Sequence, residues 1–230
     1  MCLTIFTFLT NGLIFMRFLG LLLIITTICV GIYFYLPNND NWDTLTINGK
    51  SCGREGTSQN SENKAQSRLK NRWQMPQKND FDPQFTWENL FADTFENPKK
   101  YQQVRAGRLR GYVAYISKSN KESCNCNYRE PEFHDYHINM VIDAADYKDK
   151  TQHIVVEITP RLREIMKAKG IDWSLEGLKK IRHKEIEVEG WLFYDWDHGD
   201  KAYLRTGDAV NSWRATCWEI HPVTSLKILE

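Results

Sequence analysis

Short runs of alternating hydrophobic and polar residues fill the C-terminal part of the chain, a pattern typical of β-strands. Five such runs occur, at residues 104–117, 133–143, 153–159, 186–194 and 213–229. Between the third and fourth runs, residues 161–169 and 174–181 are predicted to form helices. A further short helix is predicted over residues 87–95, with Thr86 as its N-cap.

This order of elements is that of the five-stranded Greek-key barrel called the OB-fold. Gly190 lies inside the fourth run, where a residue without a side chain fits a bend at a barrel corner. A small β-sandwich is the competing architecture. We therefore predict a mainly β domain over residues 104–230, an OB-like barrel with a helix between its third and fourth strands.

The N-terminal residues 1–36 differ from the rest, because Arg17 is their only charged residue. Residues 18–36 are uncharged and, at about 1.5 Å per residue, long enough as a helix to cross the ~30 Å hydrocarbon core of a bilayer. Aromatic residues 33–35 lie at the expected membrane exit, as interface anchors do. We predict a single-pass membrane anchor that places residues 37–230 outside the cytoplasm, since Arg17 precedes the span and acidic residues follow it.

Two other interpretations of this segment stay open. A cleaved secretory signal usually has a shorter apolar core and an A-x-A-like site, which does not follow this one. A lipid anchor at Cys29 would need a small residue in place of Ile28. Translation starts at either Met1 or Met16, and a basic residue directly follows Met16.

Residues 37–80 are polar and show no hydrophobic period between Gly49 and Lys70. Such a composition is typical of a flexible tether. A mildly basic run from Lys64 to Arg72 makes contact with an anionic lipid surface the alternative role. The predicted organisation is a membrane anchor (1–36), a polar flexible linker (37–80), a short helical lead-in (81–103) and the barrel (104–230).

Composition and charge narrow the range of functions. Hydrophobic residues make up 42% of the chain, enough for a packed core, and six Cys are too few for a disulfide scaffold. Lys and Arg number 30 against 29 Asp and Glu, and without Arg17 the exported part is neutral. This balance argues against binding nucleic acid by bulk charge. The sequence also lacks the common nucleotide-binding, zinc-protease and serine-hydrolase motifs.

Four short motifs of the predicted barrel are distinctive when taken together. They are ESCNC at 122–126, VEITPR at 156–161, GWLFYD at 190–195 and WEIHPVT at 218–224. With these motifs the chain resembles a group of uncharacterised bacterial envelope proteins that have an OB-like domain. The resemblance covers residues 104–230. It implies an OB-like fold and an exported bacterial context, and it implies no activity.

Strand alternation places several ionisable side chains on one surface. Asp135 and His137 share a face of the second strand, Glu157 lies on the third, and Glu219 and His221 share a face of the fifth. In the OB-fold the third strand lies between the second and the fifth. In a compatible register all five side chains therefore meet.

Imidazole nitrogens and carboxylate oxygens suit zinc, iron or manganese, so His137, Glu157, Glu219 and His221 are candidate ligands of a divalent-metal site. A remaining carboxylate would serve as general base for water activated by the metal. The interpretation that the sequence favours is a face without metal, solvated or internally hydrogen-bonded, with Glu157 paired to Arg161. A register slip of one residue would reverse the faces.

Four cysteines follow the predicted anchor. A bond between Cys124 and Cys126 would be strained, and Cys52 lies in the predicted linker. We expect one bridge from the 124–126 loop to another site, or free thiols, at Cys124, Cys126 and Cys217.

The loop between strands four and five often lines the binding surface of an OB-fold. This location makes His198 and Trp196 candidate ligand-binding residues. Arg161 is a third candidate, because its guanidinium suits an anionic group such as phosphate.

Three functional hypotheses follow. The leading one is a membrane-tethered OB-like module that binds a small ligand or another envelope protein. The alternative is a metal-dependent hydrolase that uses the His/Glu face of strands two, three and five. The second alternative, single-stranded nucleic-acid binding, rests on fold analogy alone and is disfavoured by the neutral charge.

Overall fold

Seven strands and five short α-helices make up the described part of the chain. The computed structural model describes residues 41–93 and 95–229. In chain order the elements are β1 (Thr44–Ile47), β2 (Lys50–Gly53), α1 (Ser61–Lys70), α2 (Trp87–Phe91), β3 (Ala106–Lys118), β4 (Tyr136–Val141), β5 (Ile154–Ile158), α3 (Pro160–Ala168), α4 (Leu175–Lys179), β6 (Glu185–Tyr194), α5 (Tyr203–Thr206) and β7 (Trp218–Ile228).

Strands β3 to β7 form a closed barrel in the order β3-β4-β5-β7-β6, with β6 returning to β3. All neighbouring strands are antiparallel except β5 and β7, which run parallel and share the single residue pair Val156 and Ile220. Helix α3 follows the third barrel strand. The prediction of a five-stranded barrel is confirmed, and the architecture is consistent with an OB-like barrel rather than a sandwich.

The apolar positions of the alternating strands fill the barrel interior. Ile138 of β4, Val156 of β5 and Ile220 of β7 are fully buried in one hydrophobic cluster. Trp218, the first residue of β7, is 1% exposed. Because side chains alternate along a strand, the polar residues next to these positions project from the outer face of the barrel wall.

Gly190 lies where β6 shifts its register against β7, in agreement with the predicted bend. A Cβ atom at this position would come within 2.2 Å of the carbonyl oxygen of Pro222. Only glycine permits this close approach. The contact positions the chain directly after His221.

Two predicted helices begin where the sequence indicates but end earlier. Thr86 and Ser174 each accept a hydrogen bond from the backbone N–H three residues further on. The helix that follows Thr86 ends at Phe91, before the predicted residue 95, and the last strand begins at Trp218 rather than at residue 213. Arg214, which precedes this strand, buries its side chain and donates a hydrogen bond to Glu219.

Residues 42–72, which we call the lead segment, are folded onto the barrel, so the prediction of a flexible linker is wrong for them. Strands β1 and β2 form a hairpin and α1 follows. Cys52 of β2 forms a disulfide with Cys126, 74 residues further along the chain. Residues 42–230 group into one unit, with no domain boundary at residues 80 or 104.

Arg161 of α3 explains why this polar segment is ordered. Its guanidinium, 1% exposed, donates hydrogen bonds to the carbonyl oxygens of Trp42 at 2.5 Å and Cys52 at 3.2 Å. It also donates to Oδ1 of Asn71 at 2.5 Å. The lead segment is ordered by polar contacts to this buried side chain and has no repeated apolar face. Its sequence therefore shows no hydrophobic period.

The membrane prediction falls outside the residues that the structure describes. Within residues 41–93 and 95–229, no helix is long and apolar enough to cross a bilayer. The anchor at residues 18–36 and its alternatives therefore stay predictions.

Candidate functional site

Three neighbouring strands bring the predicted polar face together. His137 of β4 pairs directly with Glu157 of β5. The parallel pair between β5 and β7 then sets Glu157 beside Glu219 and His221. Together with Asp135, which directly precedes β4, these residues form what we call the polar cluster. The register assumed from the sequence is thus the one that the barrel adopts.

The imidazole of His221 lies at the centre of the polar cluster. Its Nδ1 is 3.1 Å from Oε1 of Glu219 and 3.3 Å from Oε2 of Glu157, and its Nε2 is 3.7 Å from Oδ2 of Asp135. The other oxygen of Glu157, Oε1, lies 3.2 Å from Nε2 of His137. Glu157 therefore bridges the two imidazoles with its two oxygens.

Three atoms of the cluster are buried without a hydrogen-bond partner. They are Oδ2 of Asp135, Oε2 of Glu157 and Nε2 of His221. These residues are at most 4% exposed, and each offers one ligand atom within 4.8 Å of the others. We call them the inner triad. They lie in ion-pair range of one another but make no hydrogen bond. A buried polar atom without a hydrogen bond costs about 1–3 kcal/mol, so three in one place require an explanation.

A turn outside the barrel covers the cluster. Glu122 directly precedes this turn and forms, with His137 and Glu157, a second group of ligand atoms within 4.8 Å of one another. We call this group the outer triad. Lys70, the last residue of α1, donates a hydrogen bond to Oε2 of Glu122 at 3.0 Å. The lead segment thus contributes a cation to the site.

Burial and neighbouring charges shift the pKa values of the polar cluster, in opposite directions for His137 and Glu157. Burial alone would lower the pKa of His137, but Glu157 outweighs it and the pKa rises to about 9. Burial raises the pKa of Asp135 to about 7, and the Glu122 carboxylate adds to this shift. Burial would also raise the pKa of Glu157, yet His137 and His221 hold it well below its usual range. The two imidazoles are therefore the positive partners of the central carboxylate.

A fully buried arginine bounds the cluster on its other side. Arg214 donates hydrogen bonds to Oε2 of Glu219 at 2.7 Å and to Oδ2 of Asp195 at 2.8 Å. The same Asp195 oxygen lies 2.6 Å from Nδ1 of His198. Burial would raise the pKa of Asp195, but the His198 hydrogen bond and Arg214 lower it. Because Arg214 and His221 engage both oxygens of Glu219, Glu219 belongs to neither triad, unlike the predicted ligand set.

A cleft of about 850 Å³ opens at the outer triad. Glu122 and His137 line this cleft, and the inner triad does not. His198 and Trp213 line it as well, with their rings 5.3 Å apart. The outer triad is therefore the part of the site that solvent and a ligand reach.

The three predicted ligand-binding residues lie in different places. His198 lines the cleft, as the loop position suggests. Trp196 does not line it: its ring, 51% exposed, packs against Tyr194 and under the guanidinium of Arg205. Arg161 is buried under the lead segment, so its prediction as a ligand contact is wrong. Arg161 also does not pair with Glu157, because its N–H groups donate to backbone carbonyl oxygens and to Asn71.

The disulfide between Cys52 and Cys126 agrees with the expected bridge from the 124–126 loop to another site. Cys124 and Cys217 are buried free thiols. Burial raises the pKa of both thiols, that of Cys217 to about 12. Cys124 also forms a third group of ligand atoms with Glu122 and Asp135. Of the two thiols, Cys124 is the one at the site.

Sequence reasoning missed four charged residues of the site: Lys70, Glu122, Asp195 and Arg214. Glu122 and Asp195 stand inside the distinctive ESCNC and GWLFYD motifs, which was an available signal. Lys70 lies in a segment without hydrophobic periodicity, and Arg214 lies before the last strand. Strand alternation therefore assigns neither residue to the site.

Comparison with known proteins adds no assignment. No protein-family model matches the chain, and no curated protein matches it either. The chemistry of the site is therefore inferred from its own geometry.

Proposed function

We propose that the barrel is a divalent-metal-dependent hydrolase whose metal is held by residues of the inner and outer triads. One observation carries the proposal: three buried ligand atoms of Asp135, Glu157 and His221 converge without hydrogen-bond partners. Buried polar atoms in folded proteins are nearly always paired. A coordinated cation would satisfy all three atoms at once.

The charge balance of the site is compatible with a bound cation. Lys70 and Arg214 are its only permanently positive side chains among the described residues, and each already pairs with a carboxylate. The carboxylates outnumber them and are Glu122, Asp135, Glu157, Asp195 and Glu219. Protonated His137 and His221 offset this negative charge, and a metal ion that displaced their protons would offset it in the same way. Histidine nitrogen and carboxylate oxygen are preferred ligands of zinc, iron and manganese.

The cleft makes hydrolysis the chemistry that such a metal would support. Glu122 and His137 line the cleft, so water and a substrate would reach the outer triad while the inner triad stays enclosed. A divalent cation held there would supply activation of water and polarisation of the bond to be cleaved. A carboxylate that does not ligate the metal would accept the proton.

The metal content of the full-length protein tests this proposal. After reconstitution with zinc or manganese, elemental mass spectrometry should find stoichiometric metal in the wild type. His137→Gln, at the cleft, and His221→Gln, in the barrel wall, should both lose it. His153→Gln is the matched control and should retain it, because His153 is buried and lines the cleft but belongs to neither triad.

Folding and activity complete the test. Circular dichroism shows whether each variant is folded, and a folded His137→Gln protein without metal supports the site. Hydrolysis of chromogenic carboxylic and phosphate esters should require metal and be lost in His137→Gln but not in His153→Gln. A wild-type protein that takes up no metal would contradict the proposal and leave a cluster neutralised by its own histidines.

A second candidate function is a binding module held at the outer face of a membrane. In this proposal residues 18–36 anchor the chain, and the barrel binds a small ligand or another envelope protein. The disulfide between Cys52 and Cys126 favours the extracytoplasmic location, because disulfides persist in oxidising compartments. Alkaline phosphatase fused to the C-terminus should be active in bacteria, and an inactive, stably expressed fusion would contradict the location.

A further inference from the structure

We infer that the substrate of the proposed hydrolase is a single-stranded nucleic acid, bound in the cleft by unpaired cations and an exposed tyrosine. The chemistry of cleavage rests on the proposed function. The binding step does not, since it depends on residues outside both triads.

Five basic residues line the cleft and form no ion pair with any residue of the described chain. They are Lys118, Lys121, Lys148, Lys150 and Arg182, and we call them the cationic rim. All five are exposed. The acidic residues of the lining are Glu122, which Lys70 already binds, and Asp197. The rim therefore presents a positive surplus to a ligand that enters the cleft.

The near-zero net charge of the whole chain conceals this surplus. The formal net charge is +1, because basic residues elsewhere are matched by acids. On strands β3 and β6, for example, Arg108 pairs with Glu189 and Arg110 pairs with Glu185. Total charge argued against nucleic acid at the sequence level. Phosphate binding depends instead on the local field, which the fold concentrates in one cleft.

An exposed aromatic side chain in the same cleft favours nucleobases over a lipid headgroup. Tyr115 of β3 lines the cleft and is 51% exposed. Tyr147 and Trp213 line it too. Aromatic rings beside basic residues are the usual platform for single-stranded bases, whereas a glycerophosphate headgroup has no flat face to stack.

The chemistry of a phosphodiester fits the proposed metal site beside this rim. One phosphate would lie at the outer triad while its neighbours along the strand contact the rim. Hydrolysis joins the hydroxyl of water to phosphorus and breaks one P–O ester bond. The second hydrogen of the water ends on the leaving alcohol, so no other reactant is needed.

Binding without metal tests the inference separately from the hydrolase. We would measure the fluorescence anisotropy of a labelled oligothymidylate with the full-length protein in EDTA, over a series of salt concentrations. The double variant Lys118→Glu/Lys148→Glu should bind more weakly. Its slope of log Kd against log salt should fall by about 1.4, since about 0.7 ions are released per phosphate contact of a single strand.

The matched control is Lys99→Glu/Lys169→Glu, which changes the net charge equally at exposed positions outside the cleft and should keep the wild-type slope. Tyr115→Ala should weaken binding by about fivefold or more with an unchanged slope, because one stacked base is lost. Equal weakening by the cleft and control pairs would overturn the inference. An unchanged Kd in Tyr115→Ala would also overturn it. The same holds if glycerophosphoglycerol competes as well as unlabelled oligothymidylate at matched phosphate concentration.

The two proposals fail in distinguishable ways. A protein that takes up no metal but binds the oligonucleotide through the cationic rim contradicts the hydrolase and supports the binding step of this inference. A protein that loads metal and hydrolyses esters but binds no oligonucleotide overturns this inference and supports the hydrolase.

Discussion

The barrel and the lead segment are held by different kinds of interaction. The barrel strands bury a periodic apolar face, and each of them is hydrogen-bonded to a neighbour on both sides. The lead segment contributes only Leu45 and Cys52 to a small cluster with Phe133. Otherwise one disulfide and individual polar contacts hold it, among them the guanidinium of Arg161, the guanidinium of Arg72 and the pair between Lys70 and Glu122. Distributed burial resists the loss of any single contact, whereas a few cross-links do not.

Removal of the disulfide should have the largest effect and should separate the two regions. In Cys52→Ala/Cys126→Ala we expect the free energy of unfolding to fall by about 4 kcal/mol, since the bridge joins residues 74 positions apart. Urea denaturation measures the loss, and limited proteolysis should cut the lead segment before the barrel. If both regions lost protection together, the comparison would fail.

The guanidinium cross-link should rank second. Arg161→Met leaves two buried acceptors and one half-buried acceptor without this donor, so we expect a loss of about 3 kcal/mol in urea denaturation. Arg108→Met is the control, because Arg108 pairs with Glu189 at the surface and should lose less than about 1 kcal/mol. Equal losses in the two variants would mean that the buried guanidinium does not hold the segment.

A core change in the barrel should be milder and should leave the site intact. Ile220→Val removes one buried methylene from β7 and should cost about 1 kcal/mol. Its side chain faces the core, so metal content should match the wild type, while His221→Gln at the next position should abolish it. Loss of metal in Ile220→Val would show that the two faces of β7 are not independent.

The smallest expected effect concerns His198. Its hydrogen bond with Asp195 raises the pKa of the imidazole. This stabilisation is complete below the unfolded pKa, near 6.5, and is lost as the pH rises through the raised value. Since the side chain is 45% exposed, we expect less than about 1 kcal/mol. The stability of the wild type minus that of His198→Gln should decline over this range, and a flat difference would contradict the assignment.

The part of this fold that the sequence predicts is the part with a regular alternation of hydrophobic and polar residues. Alternation identified the five barrel strands and the faces that carry His137 and Glu157, and the register of the barrel then pairs these two residues. The lead segment was misassigned because its order comes from Arg161 and Cys126, residues about 70 to 120 positions away along the chain. A polar composition does not reveal such distant cross-links.

The same distinction applies within the site. His137, Glu157 and His221 were found because each lies on a strand whose faces can be assigned. Glu122 approaches from a turn, and Lys70 from the lead segment, so strand alternation does not report their positions. Arg161 was wrongly assigned to a ligand, since a guanidinium that suits phosphate also suits several carbonyl oxygens.

The single residue pair between β5 and β7 has a consequence for motion. Every other seam of the barrel contains at least five pairs, so local opening should start where the fewest backbone hydrogen bonds must break. Glu157 and His221 stand on opposite sides of that seam. A cation bound by both residues would cross-link β5 and β7. Metal loading should therefore slow amide hydrogen exchange in β5 and β7 more than in β3, which coordination elsewhere would not do.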